Sequence, residues 1–417
     1  MTRTQASIGR TDGAVLMIAA LIAIYAVSQF LRNSVGVIAS DLARELNLSA
    51  TEIGLLSSVF FFSFAAAQIP VGIAIDRYGP KRTMVATGAL AVVGTALFAL
   101  APSPGVLILA RMLIGLGCST FFMAPLAIYA QRFPPERFAL LTSLQMGFAN
   151  LGTLGATAPL AASAAAFGWR NSFLAVAVLT ALIAVLVIAA VPRDPARSGA
   201  KESWAEAFRG VGRAVRVRSF WPVFFAHLTA YSSFATVVGL WAGPWLSDAY
   251  GVDLGMRGTL ILVGAAAQIA GLFLWGVTDR YFGSYRKPVL IGGAATVILF
   301  AVAALVPMSL TLAVIWLMVF GFFVAFTPIL TAHGKSLFPR ELTGRGITLM
   351  NIGAIGGTFL SQTATGILVD VFGRLPGGGY PPEAYRAVFG ALGAWLLLSL
   401  VFYIRAVDPH PSHAKGA

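Results

Sequence analysis

The chain has one cysteine, Cys118, among its 417 residues, so no intrachain disulfide can form. That cysteine lies inside an apolar run, where a small thiol serves as a packing residue. Charge is scarce as well. Only 11% of residues are Asp, Glu, Lys or Arg, against about 25% in ordinary soluble domains. No carboxylate lies deep in any apolar run: Asp41 and Asp370 fall near one set of ends, Asp76 and Asp279 near the other. There is no nucleotide-binding glycine loop, no pair of metal ligands and no nucleophile–base arrangement. An enzyme is therefore not expected, nor a cofactor or a metal site. A cleavable leader is not expected either, because residues 1–13 are polar and the run after them is long enough to span a bilayer.

Apolar residues are plentiful. They make up 58% of the chain, and the mean hydropathy of +0.82 is too high for a fold wetted on all sides. A spanning helix needs about 20 mostly apolar residues. Twelve such runs can be read, at about 14–40, 53–76, 83–101, 105–130, 138–165, 171–191, 219–247, 258–278, 288–306, 310–333, 346–371 and 385–405. The expected class is an all-α membrane protein with twelve transmembrane helices in two six-helix bundles. The net charge of +13 does not point to nucleic acid, because the basic residues are spread singly between apolar runs. Instead it orients the chain. With the N-terminus in the cytoplasm, 22 Lys and Arg fall on the inner side and 5 on the outer (Arg44, Arg170, Arg257, Arg374 and Arg386). That asymmetry predicts cytoplasmic termini, and the expected location is the plasma (bacterial inner) membrane.

One long polar stretch, 192–218, divides the spans six and six. It reads as a cytoplasmic linker, amphipathic around Trp204, Phe208 and Val211. The expected domains are therefore 1–191, an N-terminal bundle, and 219–417, a C-terminal bundle with a short tail. The halves repeat. Asp76-Arg77 follows the second span and Asp279-Arg280 the eighth; Phe133-Pro134-x-Glu136 follows the fourth and Phe338-Pro339-x-Glu341 the tenth. Duplicated units in parallel arrangement carry their solute site where the repeats meet, near the midplane.

The residues of the loop after the second span are Gly72-x-x-x-Asp76-Arg77-x-Gly79-x-Lys81-Arg82. This resembles the loop 2–3 signature of the major facilitator superfamily, and the resemblance covers the whole chain. It implies a transporter working by alternating access, with this loop as a conformational latch. Asp76, at a helix end beside several cations, could pair with them or cap a neighbouring helix. A second, degenerate copy includes Asp279 and Arg280. Arg111-x-x-x-Gly115-x-Gly117 resembles the buried arginine motif of the fourth span; its glycines would permit close helix approach, and structural packing is the preferred role. The Gly-Pro motif of antiporter-type exporters is absent from the fifth span.

Arg32 lies inside the first span, where an ionisable residue marks function by default. Tyr25, Gln29 and Arg32 share one helix face. The segment Phe30-Leu31-Arg32-Asn33 is similar to the first-span arginine site of organic-anion and sugar-phosphate permeases, which implies that Arg32 contacts an anionic group. A guanidinium suits this, being always charged and offering a planar fork. The second arginine that those phosphate-ester carriers place in span seven is missing. His227 and Tyr231 stand there, one turn apart. A single fixed cation fits a monocarboxylate-like anion better than a dianion. Asn150 in span five, and Asn351 and Gln362 in span eleven, are expected to add polar lining. His227, with an unperturbed pKa of about 6.5, is a candidate for proton exchange, as are Asp41 and the substrate's own acid group. The expected partners are a small anionic solute, with a role for protons left open, and membrane lipids; a monomer is expected. The alternative is a proton antiporter exporting a hydrophobic compound, metabolite or siderophore. It would rest on the aromatics Phe60, Phe61, Phe62 and Phe64 of span two and Phe320, Phe322, Phe323 and Phe326 of span ten.

Overall fold

The computed structural model describes residues 3–194, 209, 212–339 and 342–409. Among these every regular element is helical. They are α1 (Arg3–Asn33), α2 (Val35–Leu46), α3 (Ala50–Tyr78), α4 (Pro80–Leu100), α5 (Pro104–Cys118), α6 (Met123–Arg132), α7 (Pro135–Gly155) and α8 (Ala158–Ala190). The second half gives α9 (Phe220–Thr236), a π-helical turn (Val237–Trp241), α10 (Ala242–Tyr250), α11 (Leu254–Trp275), α12 (Thr278–Phe282), α13 (Arg286–Leu305), α14 (Leu310–Val324), α15 (Thr327–Ser336), α16 (Thr343–Asp370) and α17 (Pro382–Tyr403). Trp204, Phe208 and the body of the 192–218 segment lie outside the described residues.

Eleven helical stretches are long and apolar enough to cross a membrane, and one of them, Leu140–Ala190, runs for 51 residues. It holds two spans. Gly168, at φ 79°, breaks the helical geometry inside α8, so spans five and six meet at that turn and the total is twelve. Large apolar side chains face outward along the helices, among them Leu182, Phe273, Ile298 and Leu398. In water such a surface would aggregate; in a bilayer it is the solvated face, and helices are the form that satisfies every backbone group there.

Among the described residues five spans are broken along their length, which the apolar runs did not reveal. Span one breaks at Ser34, span four between Cys118 and Met123, span five between Gly155 and Ala158, span seven at the π turn Val237–Trp241 and span ten between Val324 and Thr327. Spans one and seven are equivalents under the repeat, as are four and ten. Their breaks recur at the spacing already read from the loop marks.

The described chain packs as two compact units. The first comprises 1–34, 63–156 and 163–201; the second comprises 35–62, 157–162 and 202–417. The second unit thus takes in the distal ends of spans one and two and the middle of span five. Here "distal" means the helix ends opposite the 192–218 segment. Within it α2 lies on the π turn and α10, backbone against backbone. A Cβ on Gly243 would come within 1.8 Å of the Gly36 carbonyl oxygen, so only glycine permits this approach. The core of this unit at its other end is Phe220, Val223, Ala226, Trp275, Phe326, Leu330 and Tyr403. Of the aromatics that the export alternative invokes, Phe60, Phe61, Phe64, Phe320 and Phe326 are buried, packed in ring contacts such as the Trp316–Phe320 stack at 4.9 Å.

Candidate solute-binding site

Arg32 stands in the last turn of α1, two residues before the break at Ser34. A cation there meets the negative end of the helix dipole. Its guanidinium lies over the Phe64 ring, 5.0 Å from the centroid, and the residue is only 7% exposed. Tyr25, on the same face, packs against Phe122 at 5.1 Å. Gln29 lies between them, and its Oε1 is buried with no hydrogen-bond partner. The three residues that share a face in the sequence therefore stand together, next to the broken segments of spans one and four.

A helix break leaves carbonyls without their usual donors. At this one, Leu31 carries the exposed need. Its carbonyl accepts from Arg111 Nη1 at 2.7 Å and from Ser34 Oγ at 3.1 Å. Arg111 is fully buried, and Gly115 and Gly117 of its motif are buried too. A Cβ on Gly117 would lie 2.4 Å from the Ala91 nitrogen, as expected for glycines that bring spans three and four together. Arg111 thus acts by holding the end of α1 that carries Arg32. Asn33 adds a bond from Nδ2 to the Gln29 carbonyl at 2.8 Å.

The same device appears in the second unit. Ala235, equivalent to Leu31 under the repeat, precedes the π turn. Its carbonyl accepts from Gln362 Nε2 at 3.0 Å, while Gln362 Oε1 is buried and unpartnered. Gln362, expected as polar lining, therefore braces the break of span seven. π-helical turns are often found at functional sites. His227 is buried at 5% exposure. Its ring bonds the Leu330 carbonyl, its Nε2 has no partner, and Gly334 and Met350 lie beside it. It is set among spans seven, ten and eleven, so it serves first as a packing residue. Tyr231 and Asn351 are half-buried in this unit. Asn150, in the first unit, turns its amide back to the Met146 carbonyl at 2.9 Å.

The latch residues show a different division of labour from the expected one. The N-terminus of α4 is capped by Asp194, not Asp76: its carboxylate accepts from the Lys81 and Arg82 backbone N–H groups, each at 3.1 Å. Gly79, at φ 94°, makes room, for a Cβ there would lie 2.4 Å from that carboxylate. Lys81 Nζ in turn donates to the Ile188 and Val191 carbonyls. Asp76, Arg77, Gly72 and Arg82 are exposed, and nothing lies near the place of a Cβ on Gly72. In the second unit Asp408 plays the part of Asp194. It accepts from Ser284 Oγ and from the Tyr285 and Arg286 N–H groups at 3.1 and 3.2 Å, next to Gly283 at φ 54°. Asp279 is half-buried and Arg280 exposed. The sequence signal for these caps was present but unread: an Asp-Pro pair, 194–195 and 408–409, follows spans six and twelve.

The arginines counted to the outer side are mostly not solvated loop charges. Arg170 caps span three through the Ala99 and Ala101 carbonyls at 3.0 and 2.8 Å. Arg374 reaches the Leu48 carbonyl and Asn47 Oδ1. Arg257 is buried in the first turn of α11 and paired with Asp41.

These features agree with the comparisons to known proteins. The family model of the Major Facilitator Superfamily matches residues 21–243 and 223–417. The chain belongs to that family: it is a multi-pass membrane transporter and not an enzyme. It is 26% identical over 83% of its length, and 85% of the other's, to a probable sulfoacetate transporter of Cupriavidus necator. It is 24% identical over 92% of its length, and 93% of the other's, to a hexuronate transporter of Bacillus subtilis. A solved structure of a bacterial homolog of the human lysosomal transporter Spinster, inward-facing and occupied, superposes with a TM-score of 0.74 at 19% identity, covering 93% of this chain and 95% of that one. That likeness speaks to the fold.

Proposed function

We propose that this protein is a gradient-driven transporter that moves a small organic anion across the membrane by alternating access. The observation that carries the reading is Arg32, a nearly buried guanidinium at the break of the first span, backed by an aromatic face on a helix end that Arg111 braces through the Leu31 carbonyl. Such a group is costly in hydrocarbon unless it has a use, and its fork suits a carboxylate or sulfonate. The two relatives described above are named for transport of sulfoacetate and hexuronate, both organic acids. The sequence supplies one arginine at this level and none in span seven, which favours a solute with a single acid group, as a hexuronate has, over one with two, as sulfoacetate has. Gln29 and Tyr25, beside Arg32, would meet its hydroxyls. The 22-to-5 distribution of basic residues supports cytoplasmic termini, which makes the distal ends the outer ones. The aromatics that an exporter of hydrophobic compounds would use are largely committed to packing, so that reading gains nothing.

The test is a thermal-shift screen of the purified protein against sulfoacetate, hexuronates, simple monocarboxylates, phosphate esters and neutral sugars, repeated with Arg32→Ala. Organic monoanions should raise Tm in the parent and not in the variant. Uptake of the selected anion should be lost in Arg32→Ala while membrane insertion is normal. Unchanged uptake kinetics in that variant would overturn the assignment.

A further inference from the structure

Arg257 is the least satisfied cation of the second unit. It is 2% exposed, and its one ion pair is Nη2 to Asp41 Oδ2 at 3.1 Å. Its Nε and Nη1 are buried with no hydrogen-bond partner. Asp41 is itself shared, because its other oxygen pairs with the exposed Arg44. Asp248 is the remaining charge whose field reaches Arg257. Asp41 belongs to α2, which the Gly36–Gly239 and Gly36–Gly243 contacts press onto the π turn and α10. A Cβ on Gly243 of α10 would lie 3.6 Å from the Arg257 Cδ, so Arg257 sits where α2 and α10 meet.

An incompletely bonded buried ion pair is a poor device for stability alone, since apolar residues of similar size often do as well or better. A guanidinium with two idle donor groups is well suited to a second task. We propose that Arg257 is a second anion-binding group, at the distal end of the second unit, which docks the carboxylate or sulfonate of an incoming solute and which Asp41 occupies while α2 is packed onto the π turn and α10. Asp41 is then an internal substitute for the solute's acid group. The solute and Asp41 compete for one fork, so distal opening and anion docking favour each other. This rests on the organic-anion reading, but its test does not need Arg32 to be the main site.

The experiment uses the full chain in lipid nanodiscs, with Arg32→Ala as background so that the first site is silent. Sodium benzoate and sodium methanesulfonate are the probes, against sodium chloride at equal ionic strength. In Asp41→Asn the two organic anions should raise Tm, because a ligand of the folded state stabilises by mass action. In Asp41→Asn with Arg257→Gln, where the pair is replaced by neutral groups of similar shape, the rise should vanish. Arg257→Lys with Asp41→Asn should give a weaker rise, since the charge is kept and the fork lost. The distal segment is followed by maleimide labelling of Ser40→Cys, with Cys118→Ser removing the native thiol. Labelling should quicken by about tenfold or more in Asp41→Asn, as removing one member of a buried pair strands the other. An equal Tm rise with and without Arg257, or no rise in Asp41→Asn, overturns the proposal. A retained anion response in Arg32→Ala alone that is lost on adding Arg257→Gln supports the proposal, and one that survives Arg257→Gln overturns it.

Discussion

At the scale of the residue, two arginines of the first unit, Arg32 and Arg111, divide one task in the proposed site. Arg32 would present the charge, and Arg111 braces the broken helix end that carries it. Arg111→Met should leave the Leu31 carbonyl with only Ser34 Oγ as donor, at a cost of about 1.5–3 kcal/mol for a charge-assisted bond. A lowered Tm with Arg111→Lys intermediate is the expected result, together with a raised KM for the transported anion, because the guanidinium of Arg32 loses its fixed support. A variant with wild-type Tm and KM would show that Arg111 supports nothing. Arg32 itself was legible in the sequence, since a cation inside an apolar run stands out. The partner of Arg111 was not. A backbone carbonyl has no letter in the sequence, and Leu31 needs a donor only because the helix breaks at Ser34, which apolar run length does not record. For His227 the sequence shows only a polar residue in an apolar run; its setting, against the Leu330 carbonyl, Gly334 and Met350, comes from packing.

Elements show how the duplicated half is built. Asp194 and Asp408 each cap the first turn after a left-handed glycine, in loops that the repeat makes equivalent. Loss of such a cap costs about 1 kcal/mol, so Asp194→Ala and Asp408→Ala should each lower Tm modestly and by similar amounts. Gly79→Ala should cost more, about 1–3 kcal/mol, because φ 94° with ψ 151° is a region open to glycine almost alone. The Asp408 cap also has a sign in pH. Burial pushes its carboxyl up, yet the Ser284 hydroxyl, the Tyr285 and Arg286 N–H groups and nearby His333 outweigh that and hold it below its ordinary 3.8. A depressed carboxyl stabilises the fold above its unfolded pKa, and the gain is lost as pH falls through the lower folded value. The Tm gap between the parent and Asp408→Asn should therefore stay constant between about pH 5 and 8 and close only at strongly acid pH. A gap that closes near neutrality would mean another group is being read. The latch loop was recognised from its residues, but the capping role was given to Asp76, which stands beside the cations in sequence. The true cap comes from the far end of span six, a distance that only tertiary structure spans.

For the whole molecule, the twelve spans and their six-plus-six order were legible because hydropathy counts them and the loop marks repeat. What the sequence hid is that the packing units do not follow the linker. Residues 35–62 and 157–162 join the second half through glycine contacts that leave no apolar pattern. In the proposed alternating-access cycle those contacts are made and broken, so they should control the conformational balance and not folding as such. Gly243→Ala puts a Cβ within 1.8 Å of the Gly36 carbonyl oxygen, and overpacking of that kind costs about 1–3 kcal/mol. In the proposed cycle α2 moves away, so the cost falls on the state in which α2 is packed onto the π turn. Each 1.4 kcal/mol moves a two-state balance by about a factor of ten. The variant should therefore insert normally and keep its helical circular dichroism, while maleimide labelling of Ser40→Cys rises by about tenfold. Transport should slow, because a carrier that seldom reaches one of its two states completes few cycles. Faster labelling with undiminished transport would mean that the distal contact is not rate-limiting. Unchanged labelling would mean that α2 stays on the π turn throughout the cycle, and alternating access would then have to be sought in other contacts of this chain.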